Sequence, residues 1–141
     1  MHHLKIYFLL IFFITQGLGN NFDNITLNTI NKNGVQYFSL HDFIYSNNLK
    51  STYYESKEKL EIIYEGNKLY FSPHSSFCKI NNDVFHLTYP NLLINNQIYV
   101  AALPFKSILE STNLSINIIK MNKNNIIIKT NIYDINDFYI E

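Results

Sequence analysis

Short apolar runs recur along most of this 141-residue chain, each cut off by a cluster of asparagine, glycine or charge. Runs of that length, alternating polar with apolar, suit strands and are too short for amphipathic helices. Ile25-Thr26-Leu27 and Ile30 precede Asn31-Lys32-Asn33-Gly34, and Asn-Gly between alternating apolar residues is a strong hairpin signal. Val35-Gln36-Tyr37-Phe38 supplies the return strand. Ser51 to Tyr54 and Leu60 to Tyr64 flank a charged turn at Glu55 to Lys59. Glu65-Gly66-Asn67 turns the chain into Lys68 to Ser72. Phe77 to Ile80 and Val84 to Leu87 flank Asn81-Asn82-Asp83. The expected result is a meander of hairpins.

Two segments break the strand period. Ser39 stands before Leu40-His41-Asp42-Phe43-Ile44, a Ser-x-x-Asp variant of the capping box, so a brief helix is expected to end near Asn47-Asn48. Gln97-Ile98-Tyr99-Val100 leads in the same way into a helix with Pro104 in its first turn, where a missing N–H does no harm. Phe105, Ile108 and Leu109 give that helix its apolar spacing. Leu114 to Ile119 and Ile126 to Thr130 then answer the first copy's hairpin, and the second helix reads about a turn longer. The expected fold class is α+β: a compact β-rich domain of short hairpins with two short helices. An internal pseudo-repeat runs strand–helix–hairpin twice.

The first nineteen residues are different in kind. Lys5 precedes the unbroken apolar run Ile6 to Ile14, and Gly17-Leu18-Gly19 closes it with small residues. This is the layout of a secretory signal peptide over 1–19, with cleavage between Gly19 and Asn20. The run falls short of the roughly 20 apolar residues of a membrane span. An uncleaved leader is the competing reading and would be the only membrane contact. In both cases the rest is exported, to the periplasm or cell envelope.

Eleven lysines balance eleven acids, and there is no arginine, which removes the usual bidentate reader of phosphate and guanine. No nucleic-acid partner is expected. One cysteine excludes an internal disulfide framework and multi-Cys zinc sites. Cys78 alternates like a strand residue in Phe77-Cys78-Lys79-Ile80, so it reads as a small buried hydrophobe; pairing between chains is the alternative. The abundant Asn, Ile, Lys and Tyr share A/T-rich codons, and base bias explains them better than an Asn-driven function.

Catalytic signatures are missing: there is no G-x-S-x-G, H-E-x-x-H, Gly-rich phosphate loop or C-x-x-C. His41, His74 and His86 remain after the leader. His41-Asp42 reads as a solvent-facing first helical turn, with Asp42 complementing the helix dipole. A three-histidine site assembled in space is the rival reading. Asp134-Ile135-Asn136-Asp137 lacks the glycine a calcium loop needs. Asn24 and Asn113 lie in glycosylation sequons, which matter only in a glycosylating host. No metal or cofactor is expected. Tyr53 and Tyr54, with Tyr64, Tyr70, Phe71 and Tyr89, could stack on sugars, although strand packing explains such aromatics better. Tyr53 and Tyr54 are the candidate ligand-stacking pair.

The order of these units resembles the copper amine oxidase N-terminal-like stalk domain. The residues that carry the resemblance are Gly34 to Phe43, Lys79 to Leu87 with Pro90, and Ile98 to Phe105. It covers about Ile25 to about Thr130 through apolar spacing rather than invariant chemistry. Val100-Ala101-Ala102-Leu103-Pro104 departs from the family's usual Val-Pro-Leu before the second helix. The resemblance implies one stalk domain over 20–141, truncated after about 130, with the family's copper chemistry lying in other domains. In bacteria such domains stand before cell-wall enzymes, and this version is most similar to the front of N-acetylmuramoyl-L-alanine amidases. The implied function is a non-catalytic exported stalk or targeting module, with peptidoglycan or a downstream catalytic domain as partner. These 141 residues would carry no activity, while a parent protein would be a zinc-dependent amidase. A free-standing secreted domain that binds glycan or peptide is the alternative.

Overall fold

A computed structural model describes residues 22–131 of the chain. The expected signal peptide over 1–19, its expected cleavage between Gly19 and Asn20, and residues 132–141 lie outside the described residues. Among the described residues, eleven strands form two antiparallel sheets, accompanied by two α-helices. The fold is therefore α+β and mostly sheet.

The first hairpin pairs β1 (Phe22–Lys32) with β2 (Val35–Ser39) across Asn33-Gly34. Asn33 and Gly34 both take positive φ, the conformation a tight two-residue hairpin demands. Helix α1 (Leu40–Ser46) follows at once. Its N-cap is Ser39, whose hydroxyl accepts the Asp42 backbone N–H at 3.2 Å and donates to Gln97 Oε1 at 2.9 Å. The cap thereby satisfies a helix end and also ties the two halves of the chain together.

A five-stranded meander comes next: β3 (Lys50–Tyr54), β4 (Lys59–Tyr64), β5 (Asn67–Phe71), β6 (Phe77–Ile80) and β7 (Asp83–His86), paired in that order. A 3-10 turn at Glu55–Lys57 makes the charged bend after β3. The chain then returns to the first sheet through β8 (Leu92–Ile94) and β9 (Gln97–Ala101), and enters α2 (Ala102–Ser111). The longer α2 has Pro104 as its third residue. β10 (Ile116–Met121) and β11 (Asn125–Asn131) close the fold, with a bulge between Ile118 and Lys120. The six-stranded sheet runs β10-β11-β1-β2-β9-β8. Residues Phe22 to Asn28 of β1 pair with Asn131 to Asn125 of β11, so Phe22 lies directly opposite Asn131.

One core serves both sheets. Phe105 of α2 lies 5.6 Å from Phe38 of β2 and 5.7 Å from Phe71 of β5, ring centroid to centroid. It bridges the sheets, and Phe43 of α1 meets Phe38 edge-on. All four rings are fully buried, each a contribution of about 1.5–3 kcal/mol from removing its surface from water. Tyr64 belongs to this core and donates its hydroxyl to Ser115 O at 2.9 Å, fastening the meander to the connection after α2. Cys78 faces inward, 3% exposed, and burial pushes its thiol up to about 12.

Candidate functional site

Two sheet edges border a cleft. β3 lies at one edge of the meander and β8 at one edge of the six-stranded sheet, with no further strand beside either among the described residues. Between them, under α1, opens a groove of about 530 Å³, within the range of small-ligand clefts. Buried Ile98 and half-buried Ile44 and Leu60 form its apolar base. Tyr53, 47% exposed, supplies an aromatic wall. His41, Ser51, Glu55, Asn96 and Gln97 add donors and acceptors, and exposed Leu93 lines the β8 side.

Local chemistry explains how these groups are held. β3 is exposed at every position, so its alternation alone aims Ser51 and Tyr53 toward the groove and Thr52 and Tyr54 away. Asn95 and Asn96 both take positive φ in the two-residue turn between β8 and β9, which places Asn96 at the groove. Gln97 has its Oε1 fixed by the Ser39 hydroxyl. Its amide N–H groups make no hydrogen bond among the described residues.

The candidate pair Tyr53 and Tyr54 is therefore divided between two faces. Tyr54 stands on the outer face of the meander, opposite Lys59. Tyr70 shares that face: Lys59 Nζ lies 4.2 Å from its ring centroid and Lys79 Nζ 5.7 Å. A hydrogen bond to Glu61 is the main reason the Tyr70 phenol is held above its ordinary value. Tyr64 and Phe71 are core residues, whereas Tyr89 is exposed beside the turn at Thr88.

The histidines do not converge. His41 is exposed at the groove, His74 occupies a positive-φ loop position, and His86 stacks on Phe77 at 4.9 Å. No group of three or more His, Cys, Asp or Glu among the described residues could hold a metal ion. No helix among them is long and apolar enough to cross a membrane.

The site's partners Leu93, Asn96 and Gln97 carry no sequence signal of ligand binding. Only the apposition of two sheet edges brings them to Tyr53. Comparison with protein-family models, curated proteins and solved structures finds no match for this chain.

Proposed function

We propose that the chain is a non-catalytic, exported cell-envelope module that docks on peptidoglycan, of the kind that stands before N-acetylmuramoyl-L-alanine amidases. The groove beside Tyr53 carries this reading. An aromatic wall over an apolar base, rimmed by amide, hydroxyl and carboxylate groups, suits a sugar ring, which has an apolar face and a hydroxylated edge. A free-standing secreted glycan-binding domain would use the same groove, and the DNA sequence beyond the codon for Glu141 separates the two by an in-frame amidase remainder.

The stalk-domain reading includes two copies of one strand–helix–hairpin unit. Support comes from the pairing of β2 with β9 around Phe38 and Val100. Tyr37 faces Ala101 while Ser39 faces Tyr99, the register a local two-fold axis produces. Each of these strands also runs straight into a helix. The copies then diverge, because β10 and β11 join the six-stranded sheet while β3 and β4 open the meander.

The test is sedimentation of the purified protein with insoluble peptidoglycan, beside a turnover assay on the same material. The wild type is expected to pellet without turnover, and Tyr53→Ala to bind several-fold more weakly with an unchanged melting temperature. Failure to pellet, or equal binding by the variant, would sink the groove as the docking site. Turnover would make the chain an enzyme.

A further inference from the structure

We propose that the outer face of the meander is a second binding surface, for an acidic polysaccharide whose pyranose rings carry carboxylates. It is separate from the Tyr53 groove and does not depend on it. Strand register puts Lys50, Lys59, Lys68 and Lys79 on this one face, since Lys50 and Lys68 both neighbour Ile63, Lys59 lies opposite Tyr54, and Lys79 lies opposite Tyr70. Among the described residues, Glu61 is the only acid whose register places it there; it is 9% exposed and engaged by Tyr70. Of the other acids of these hairpins, Glu55, Glu58 and Glu65 sit in the turns at the strand ends, and Asp83 stands opposite Ile80 on the other face.

The chain is neutral overall, so this segregation is a property of the fold and not of composition. Like charges on one face repel, and none of the four lysines has a carboxylate partner among the described residues, where the ion pair is Lys106 with Glu110. The ring of Tyr70 holds two of the ammoniums in place by cation–π attraction. An anion is the complement that such a face lacks.

Its chemistry favours a saccharide over a phosphate polymer. Lysine is a point charge without arginine's bidentate fork, and arginine is the usual choice for phosphate. Tyr54 and Phe77, 40% and 53% exposed, offer apolar ring faces that a pyranose can cover and a bare polyphosphate cannot; the bases of single-stranded nucleic acid also stack on such rings, which makes DNA the competitor the test must separate. The acidic turns close the face along the strands, so a polymer would run across them. Neighbouring strands are about 4.8 Å apart, close to the length of one pyranose residue, which sets Lys50 and Lys68 roughly two sugars apart.

The experiment measures binding of the full chain, produced with its own leader, to polygalacturonate, dextran and single-stranded DNA at rising salt. One variant replaces Lys50, Lys59, Lys68 and Lys79 with Gln; a control of equal net charge replaces the exposed Lys32, Lys57, Lys120 and Lys123. The expected result is salt-sensitive binding to polygalacturonate, none to dextran, and at least a tenfold loss in the first variant but not in the control. Circular dichroism checks that both fold. Absence of binding at low salt, or equal loss in both variants, overturns the proposal. DNA bound as tightly as polygalacturonate overturns the saccharide assignment. Tyr53→Ala is expected to leave polygalacturonate binding unchanged, and the four-lysine variant to leave peptidoglycan sedimentation unchanged, so each surface can fail alone.

Discussion

Cys78 shows how much one buried side chain can impose. Its thiol keeps its proton until about 12 in the folded chain, against 9.0 for an ordinary thiol. The unfolded chain therefore releases that proton first. The stability this contributes is complete below pH 9.0 and is lost as the pH climbs toward about 12, at about 1.4 kcal/mol per pH unit. Tyr37, raised mainly by burial, and Tyr70, raised mainly by its Glu61 hydrogen bond, add to the alkaline loss above 10.0. Denaturant titrations at pH 8 to 11 are expected to show this slope, and Cys78→Val to retain only the tyrosine part of it. A thiol reagent at pH 8 is expected to label Cys78 only after unfolding. Among the core rings, Phe105 touches both sheets, so Phe105→Ala is expected to cost about 3–5 kcal/mol. That single urea midpoint would report whether the two sheets share one core.

At the scale of elements, local chemistry was legible and partnership was not. Asn33-Gly34 announced its hairpin because few residues accept positive φ there, and Ser39 announced α1 because a hydroxyl at that place satisfies an otherwise unpaired N–H. Ser39→Ala is expected to cost about 1–2 kcal/mol by thermal melting, at the upper end because the bond to Gln97 goes with the cap. Gly34→Ala is expected to cost about 1 kcal/mol; a methyl group there meets nothing within 4 Å, so the whole effect is backbone strain at φ +80. The three-residue strand β8 escaped notice because Leu92-Leu93-Ile94 is too short and too uniformly apolar to alternate. The groove escaped for another reason. Its walls come from residues 41–60 and 93–98, and nothing in either segment specifies the other.

The division into two sheets belongs to the whole molecule. Every hairpin alternates with the same period of two, so the sequence cannot say which hairpin joins which sheet. That choice is made where Phe38, Phe71 and Phe105 meet. The closing strand is part of the same decision, since β11 lies between β10 and β1 and buries Ile126, Ile128 and Thr130. Ending the chain after Asn124 is expected to abolish cooperative unfolding altogether, as read by calorimetry.

The face-to-face placement of Phe22 and Asn131 has a mechanical consequence. Pulling on the two ends of the described fold would not shear the β1–β11 ladder as a unit. It would open the ladder like a zipper, one cross-strand pair after another, starting at the pair that bears the grip. Zipper geometry yields at low force, and because the two ends of the described fold lie side by side, it spans almost no distance along a line of pull.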